Sequence, residues 1–507
     1  MNAKSFYLSV ILLTGALCAS AITTYYVRCD GMDSDAGTTE ATAFQTLTKV
    51  FGLSLEAGDI IDIGEGTFGY QSNKSIAVAL TIKGAGKGLT FVSGTQAGAK
   101  AKSRALTVAA GADVLIEDLT FKDYGVLEED TAFAASGGVI NTTGGKLTCR
   151  RVDFTGNRAI QGGAINISNV DEIRLEDCAF SGNIAKTPAS GTLTAQGGVL
   201  YINGSKKTSL VIDRCLFENN SSEYRGSIIQ IVNKGDYGTT MLIQNSTFTG
   251  NHVASGGWGI YLAPSAATDA EYSFINNTFA YNTAAGTSGG AGLIVGGNAS
   301  NPGTERVTFI NNIVFGHTGG AASTNALSVT GKFKESRNNI TNQNFDFAAK
   351  TLSGAFFDNQ SGVTAEALGL AESLADNGGE TKTLALAATS IAIDAGYATD
   401  ALATDQTGYT RTATPDVGAY EYREGTPTPI VKHAKKSVKY SQEKGRIVFD
   451  DVKDYSKVSI FNASGQLLRA EALSGANFEY RAGAGVYVFL FEGDNGKEEH
   501  FKIVVTN

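Results

Sequence analysis

"RRVDFTGNRAIQGGAINI", residues 150–167, contains a pattern that returns four more times along the chain. Phe154 is followed three residues later by Asn157, then by Gly162-Gly163 and a short apolar alternation. The later copies begin at Phe180, Phe217, Phe248 and Phe279, and their asparagines are Asn183, Asn220, Asn251 and Asn282. A recurrence of about 30 residues is typical of stacked supersecondary units, each of which buries its apolar face against the next.

Each unit consists of strands rather than helices. Its apolar runs are short, rich in Val, Ile and Leu, and bounded by Gly and Asn, as in "KLTCRRVDF" and "SLVIDRCLF". Stacked in register, such strands form parallel sheets with about 4.8 Å between neighbours, and their inward residues pile into columns. We therefore predict an all-β, single-stranded parallel β-helix over residues 71–345, with about nine rungs.

The placement of asparagine and proline supports this prediction. Gly and Asn tolerate positive φ and can turn the chain at each corner. The asparagines three residues after each Phe are expected to stack and to pass amide hydrogen bonds along the axis. Proline cannot donate to a sheet ladder, and Pro188, Pro264 and Pro302 all fall between units.

The composition narrows the functional classes. A net charge of −9 gives no electrostatic support for nucleic-acid binding, which would need a basic face. Residues 1–21 indicate a secretory signal peptide, because Lys4 precedes the apolar stretch Phe6–Leu17 and an A-x-A cleavage site. A lipoprotein signal ending at Cys18 is the alternative, although Leu17 stands where that signal needs a small residue.

The "FTGN" and "GGAI" signatures at 154–157 and 162–165 resemble the repeats of the chlamydial polymorphic outer-membrane proteins. In that family they mark surface-displayed β-helical adhesins. The N-terminal segment 22–70, which includes a short amphipathic stretch at 43–55, resembles the opening of secreted right-handed β-helix proteins of the pectin-lyase-like superfamily. These resemblances imply a right-handed helix and an N-terminal cap.

Residues 346–422 are predicted to hold the last rungs and a closing cap. The pieces "AIDAG" at 392–396 and "DVGAYE" at 416–421 resemble the closing motif of the choice-of-anchor Q group of bacterial surface proteins. Within this motif Arg411 is expected to pair with one of the nearby carboxylates.

The C-terminal part predicts a separate small β-sandwich. Residues 423–436 contain two prolines and a basic cluster and indicate a linker. Residues 437–507 alternate apolar and polar positions between turn residues, and they resemble the type A C-terminal sorting domain of the type IX secretion system. That resemblance implies the type IX secretion machinery as a partner, and a product released or attached to the outer face of the outer membrane of a Gram-negative bacterium.

Outward charges before each Phe suggest a mixed-charge patch on one wall. Two interpretations stay open: a ligand-binding surface, or cross-strand ion pairs on a solvated sheet. The charges then give way to Gln244-Asn245, Asn276-Asn277 and Asn311-Asn312, which suggests a polar wall suited to a glycan or a protein. The candidate binding residues on these walls are Arg150, Arg174, Arg214, Tyr201, Trp258 and Tyr261.

No catalytic constellation stands out. The histidines at 252, 317, 433 and 500 are far apart, and neither HExxH nor GxSxG occurs. We assign no catalytic residue and no cofactor. A polysaccharide lyase is the enzyme alternative, with a Lys or Arg base and a neutralised uronic acid carboxylate.

Two further groups of residues carry open alternatives. Asp30, Asp33 and Asp35 could offer oxygen ligands to calcium, or form a polar turn. Cys178 and Cys215 are expected on adjacent rungs, as a disulfide or as a column of reduced thiols. Together these patterns predict an exported, adhesin-like or glycan-binding surface protein, with a glycan or a host surface protein as its ligand.

Overall fold

The computed structural model describes residues 22–70, 72–96, 99–100, 104–125, 136–187, 194–204, 206–232, 239–255, 257, 259–263, 271–285, 292–295, 307–319, 327–329, 332–398, 402–424, 439–443, 446–450, 452–462, 466–493 and 498–505. The predicted signal peptide, the alternative at Cys18, Trp258 and most of the predicted linker lie outside these residues. Within them, no helix has the length and apolar character needed to cross a membrane.

The repeats coil into a right-handed parallel β-helix, which confirms the predicted fold class. The largest sheet has twenty strands within the described residues, and most coils contribute two of them, one on each side of a sharp corner. Its strands are Thr24–Val27, Asp59–Ile63, Gly66–Gly69, Leu80–Lys83, Thr90–Ser93, Asp113–Lys122, Lys146–Thr155, Glu172–Glu176, Ala179–Ser181, Ser209–Asp213, Leu216–Glu218, Thr240–Gln244, Thr247–Thr249, Glu271–Ile275, Thr278–Ala280, Val307–Ile310, Ile313–Phe315, Glu335–Arg337, Ile340–Thr341 and Phe356–Phe357.

Two narrower parallel sheets complete the coil. The second sheet contains Lys74–Ile76, Leu106–Val108, Ile140–Thr142, Ile165–Ile167, Leu200–Ile202, Ile229–Val232, Ile260–Ala263, Leu293–Val295 and Leu327–Val329. The third contains Arg158–Ala159, Ile184–Ala185, Ser221–Ser222, His252–Val253, Thr283–Ala284 and Thr318–Gly319. A short antiparallel pair, Thr95–Gln96 with Ala99–Lys100, lies outside these sheets.

The repeated phenylalanines form one column inside the helix. Phe154, Phe180, Phe217, Phe248 and Phe279 are buried, and successive ring centroids lie 4.9, 4.7, 4.7 and 4.7 Å apart. This spacing is that of parallel strands in register, so each ring packs on the ring of the next coil.

The predicted asparagine ladder is present. The Nδ2 of Asn157 donates to the Oδ1 of Asn183 at 3.0 Å, and the same bond recurs through Asn220 and Asn251 to Asn282 at 3.0, 2.9 and 2.9 Å. A second ladder runs through Asn277, Asn312, Asn339 and Asn359. Asn277 and Asn312 are buried, so they belong to the interior and not to the polar wall on which we expected them.

One corner of the coil is built from a column of residues with positive φ. Their φ angles lie between 47° and 59°, a region that Asp and Asn enter more readily than other residues with a Cβ. We call this set the corner column: Asp118, Arg151, Asp177, Arg214, Asn245, Asn276, Asn311, Asn338 and Asp358.

At the N-terminal end, an α-helix spans Leu47–Phe51 and a 3-10 helix spans Glu40–Thr42. The α-helix is shorter than the predicted stretch 43–55. Its Leu47, Val50 and Phe51 are buried in the same core as the first coils, which places it over the N-terminal opening.

The chain after the last coil lies against the side of the β-helix. We call residues 364–398 and 402–424 the strap; it includes the short α-helix Ala365–Leu368. Its core residues share one cluster with side chains of the coils, among them Ile313 and Phe315. Residues 346–422 are those predicted to hold the last rungs and a closing cap; within them the strap's contacts described below lie on the lateral surface of the coils.

The C-terminal part forms a small antiparallel β domain, as predicted. One sheet contains Lys439–Glu443, Arg446–Asp450 and Asn477–Arg481, and the other contains Leu467–Ala472, Lys457–Asn462, Gly485–Glu492 and Glu498–Val505. A 3-10 helix spans Val452–Asp454. The two sheets share one core, in which Phe449, Ile460 and Phe491 are fully buried.

Candidate functional site

The corner column divides into two halves with different chemistry. Its C-terminal half begins with four asparagines, which the strap contacts, and ends with Asp358. Their amide Nδ2 atoms donate to strap carbonyls: Asn276 to Asp416 at 3.0 Å, Asn311 to Tyr397 at 2.8 Å and Asn338 to Ala395 at 2.9 Å. The asparagine side chains supply hydrogen bonds to the buried strap carbonyls without the desolvation penalty that a charged side chain would carry. This explains why charged residues give way to asparagine at these positions of the sequence.

The strap is held by side chains of its own motif. Gln406 accepts from the Thr247 hydroxyl at 2.6 Å and donates to the Cys215 carbonyl at 3.3 Å. Arg411 donates to Asn245 at 3.0 Å and to Glu421 at 3.0 Å. Gln406 and Arg411 therefore dock the strap on the coils.

The N-terminal half of the corner column is charged and lies beyond most of the strap. The Arg151 guanidinium donates to both oxygens of Asp118, at 2.6 and 2.8 Å. One pair further along, Arg214 donates to both oxygens of Asp177, at 2.9 and 3.1 Å. The hydrogen bonds that the arginines donate to these carboxylates raise the pKa of both guanidinium groups, so both stay positively charged.

A second row of ion pairs runs beside this column. Arg150 and Arg174 both donate to Glu176, at 3.2 and 2.9 Å, and each arginine keeps 41% of its side chain exposed. Burial acts to raise the pKa of Glu176, but the hydrogen bonds from the two arginines outweigh it and lower that pKa. Arg150, Arg174 and Arg214 thus form paired charges on one wall.

Lys87 enters this group from a turn that precedes the repeats. Its Nζ lies 3.3 Å from the Asp177 carbonyl oxygen, 3.4 Å from Asp153 and 4.0 Å from Glu380 of the strap. Only 10% of its side chain is exposed. Sequence reasoning missed Lys87 because it stands outside the Phe repeat, between two glycines that carry no periodic signal.

We call this surface the charged corner: Lys87, Asp118, Arg150, Arg151, Asp153, Arg174, Glu176, Asp177, Asp213, Arg214 and Glu380. An exposed aromatic ring lies beside it. The strap turn at Gly379 packs so closely on Thr407 that a Cβ there would lie 2.5 Å from the Thr407 Cα. Two residues after Thr407, the ring of Tyr409 stacks on the Arg423 guanidinium, with 4.2 Å between the ring centre and the guanidinium carbon. Tyr409 is 46% exposed.

The other candidate binding residues lie elsewhere. Tyr201 and Tyr261 point outward from the second sheet, where they share a column with Gln230. Tyr201 is buried, and Tyr261 is half-buried with Arg225 5.0 Å from its ring centre. The structure therefore does not bring these tyrosines together with the arginines of the charged corner, and Trp258 lies outside the described residues.

The aspartates proposed for calcium are used within the N-terminal segment. Asp33 accepts from the backbone N–H groups of Gln45 and Thr46 and from the Thr46 hydroxyl, at 3.0, 2.9 and 2.7 Å. Asp30 is exposed and Asp35 half-buried. Across the described residues, no three His, Cys, Asp or Glu side chains converge closely enough to hold a metal ion.

The cysteines stack but stay reduced. Cys149, Cys178 and Cys215 are buried free thiols, whereas Cys29 is exposed. The Cys178 Sγ lies 3.4 Å from the Cys149 carbonyl, and the Cys215 Sγ lies 3.3 Å from the Leu175 carbonyl. Of the two alternatives left open, the structure shows the thiol column.

The two histidines described within the coils have structural partners. His252 Nδ1 lies 2.8 Å from the Thr283 hydroxyl on the next coil. His317 is buried, and this burial lowers its pKa to about 4, so it is neutral at physiological pH. Its Nδ1 accepts from the backbone N–H of Asn282, which ends the first asparagine ladder.

Comparison with known proteins agrees with the fold. The family model described as a right handed beta helix region matches residues 87–279. No curated protein matches the chain as a relative. The chain is similar to the crystal structure of pectate lyase Pel9A, with 15% identity, 80% of this chain and 98% of that chain covered, and a TM-score of 0.40.

Two further solved structures are similar with lower TM-scores. XylC in complex with xylose has 10% identity, coverage of 80% of this chain and 99% of that chain, and a TM-score of 0.35. A rhamnogalacturonan lyase has 14% identity, coverage of 57% and 87%, and a TM-score of 0.23. Likeness at these identities concerns the fold alone.

Proposed function

We propose that this protein is an adhesin-like surface protein that binds a polysaccharide along the charged corner. The observation that carries the proposal is the division of the corner column: the strap covers the asparagine half, whereas in the charged half it contacts only Lys87 and Arg214 among the described contacts and leaves part of the Arg151 and Arg214 side chains exposed. Each coil of the charged half presents a paired carboxylate, a paired guanidinium or both. Neighbouring coils are about 4.8 Å apart, so these groups repeat at that spacing. A regularly spaced surface of this kind suits a ligand that is itself a repeating chain.

Sugar hydroxyls are the groups that these ion pairs can recognise. A hydroxyl donates one hydrogen bond and accepts others, so it can bridge a carboxylate oxygen and an unused guanidinium N–H. Acidic side chains outnumber basic ones at the charged corner, and Glu117 and Glu172 add to them. This balance favours an uncharged polysaccharide over a uronic acid polymer.

A glycan array followed by affinity electrophoresis on the bound glycan tests the proposal. Arg150→Ala and Arg174→Ala should each weaken binding about tenfold, since a hydrogen bond to a charged group contributes about 1.5–3 kcal/mol. Arg446→Ala is the matched control, because Arg446 is also an exposed arginine paired with a glutamate, but it lies in the C-terminal domain. Equal affinities for all three variants would refute the assignment of the charged corner.

Lys87 favours a second candidate, a polysaccharide lyase. Its Nζ contacts the backbone carbonyl of Asp177, whose side chain pairs with Arg214. An arginine in this group could neutralise a uronic acid carboxylate while an amine takes the neighbouring proton. In this structure the amine contacts Asp153 and Glu380, so binding remains the preferred function. Formation of unsaturated product from uronic acid polymers, followed by ultraviolet absorbance and lost in Lys87→Ala, would establish the lyase instead.

The export route is a separate part of the proposal. The signal at residues 1–21 and the resemblance of residues 437–507 to a sorting domain support secretion through the type IX machinery, with the product released or held at the outer membrane surface. Deleting residues 437–507 should leave the protein in the periplasm, as measured by cell fractionation. Unchanged appearance in the medium or on the cell surface would contradict this route.

A further inference from the structure

An exposed aromatic cluster lies on the same wall at the opposite end from the charged corner. Phe357 and Tyr397 are 42% and 43% exposed, and the Arg337 guanidinium lies between them, 4.3 Å from one ring centre and 4.8 Å from the other. Arg337 is also paired with Glu335. We call Phe357, Arg337 and Tyr397 the aromatic platform.

The platform is rigid although it is exposed. Phe357 is fixed by the last strand pairing of the large sheet, in which it stands opposite Arg337. Tyr397 is held by two hydrogen bonds with one side chain: its N–H donates to the Asn311 Oδ1 at 2.7 Å, and its carbonyl accepts from the Asn311 Nδ2 at 2.8 Å. These contacts fix the backbone at both positions, and the Arg337 guanidinium packs on each ring, so a ligand has fewer conformations left to restrict.

A polar cleft of about 270 Å³ adjoins the platform. It begins at Ala398, directly after Tyr397. Its polar lining residues are Asn276, Arg411 and Thr412, and its other lining residues are Leu402, Ala403, Ala413 and Pro415. Asn311 connects the two features, because it also donates to the Asn276 Oδ1 at 3.1 Å. Arg411 is almost fully buried, and its Nε has no hydrogen-bond partner among the described residues.

We infer that the aromatic platform and the adjoining cleft form a second binding site, which takes an uncharged sugar chain. The C–H face of a pyranose carries partial positive charge and packs on the negative face of an aromatic ring, while its hydroxyls reach the polar cleft. The pairing of Arg337 with Glu335 leaves the platform without a net positive charge, so an acidic sugar gains nothing here. The ligand class rests on the proposed function, whereas the location rests on the contacts above.

A protein partner fits this surface less well. A stable protein interface buries about 800 Å² on each side and involves about 20–30 residues. The exposed large apolar side chains described near the platform are Phe356, Phe357 and Tyr397, which is far fewer. Two rings beside a polar cleft are instead the size of a carbohydrate subsite.

The test uses the full-length chain and four uncharged hexasaccharides as probes, from cellulose, xylan, mannan and starch, with titration calorimetry. Tyr397→Ala and Phe357→Ala should weaken binding of at least one probe about threefold to tenfold, and Tyr397→Phe should retain it because the ring remains. Tyr440→Ala is the matched control, since Tyr440 is 46% exposed but lies in the C-terminal domain. Because the replaced rings are exposed, the unfolding midpoint should not change.

The outcomes separate this inference from the proposed function. Loss of binding only in platform variants supports the platform and contradicts the charged corner. Loss only in Arg150→Ala and Arg174→Ala supports the charged corner and overturns the platform. The platform is also overturned if no probe binds, or if sedimentation shows a dimer that Tyr397→Ala dissociates.

Discussion

Replacing Asn220 by alanine tests how far the buried asparagine ladder holds neighbouring coils together. The Asn220 Nδ2 donates to the Phe180 carbonyl at 2.8 Å and to the Asn251 Oδ1 at 2.9 Å. Its Oδ1 accepts from the N–H and the Nδ2 of Asn183, at 2.9 and 3.0 Å. The variant removes four hydrogen bonds and leaves donors and a carbonyl unsatisfied in a site without solvent access.

At about 1 kcal/mol for each bond, the free energy of unfolding should fall by about 4 kcal/mol. Guanidinium unfolding followed by circular dichroism measures this loss, and the transition should broaden because the coils on either side of Asn220 become less coupled. Asn477→Ala, at an exposed asparagine of the C-terminal domain, is the control and should change stability by less than about 0.5 kcal/mol. A loss below about 1 kcal/mol for Asn220→Ala would show that the ladder is not a principal source of coil coupling.

Three further perturbations test the strap and the thiol column. Arg411→Ala breaks a buried ion pair with Glu421 and should destabilise the strap by about 3–5 kcal/mol, seen as faster amide exchange at Gly418, whose N–H donates to the Asn311 carbonyl. Burial raises the pKa of the Asp416 carboxyl to about 6, which is above its value in the unfolded chain. The contribution of Asp416 to the free energy of unfolding is therefore greatest below about pH 4 and is lost as the pH rises towards 6. Asp416→Asn should flatten that part of the plot of stability against pH, and an unchanged plot would contradict the assignment. Burial raises the pKa of the Cys149 and Cys215 thiols, so of the four cysteines in the described residues iodoacetamide at pH 8 should label only Cys29 in native protein, as read by mass spectrometry. Labelling of the buried thiols before denaturant would refute their burial.

The repeat predicted the coil, because a β-helix places one copy of each motif directly over the next. Phe154 and Asn157 could be assigned to interior columns from the spacing alone, since every later copy had to occupy the same position. The second ladder could not be assigned in this way. Asn277 and Asn312 stand beside asparagines of the corner column, and a one-residue difference separates a side chain inside the coil from one outside it.

The candidate site was predictable only in part. The prediction named Arg150, Arg174 and Arg214 from their position before each Phe, and in the structure each pairs with a carboxylate; their role in binding stays a prediction. Lys87 and Glu380 were missed, because they reach the wall from segments far away in sequence. The expectation that the asparagine positions offer a free polar wall was wrong for Asn276 and Asn311, since nothing in the repeats reveals that a later part of the same chain covers them.

The docking of the strap also limits how the molecule can change in length. A solenoid ordinarily grows or shrinks by duplicating or losing whole modules. Here the strap hydrogen-bonds to Asn245 through Arg411 and to Asn338 through Ala395. An extra coil between Asn245 and Asn338 would move one of these partners away from the strap by about 4.8 Å. Glu380 of the strap adds a further contact at Lys87, so among the coils on the N-terminal side only those ahead of Lys87 could be duplicated without this shift. Natural variants are therefore expected to differ in coil number near the N-terminal end.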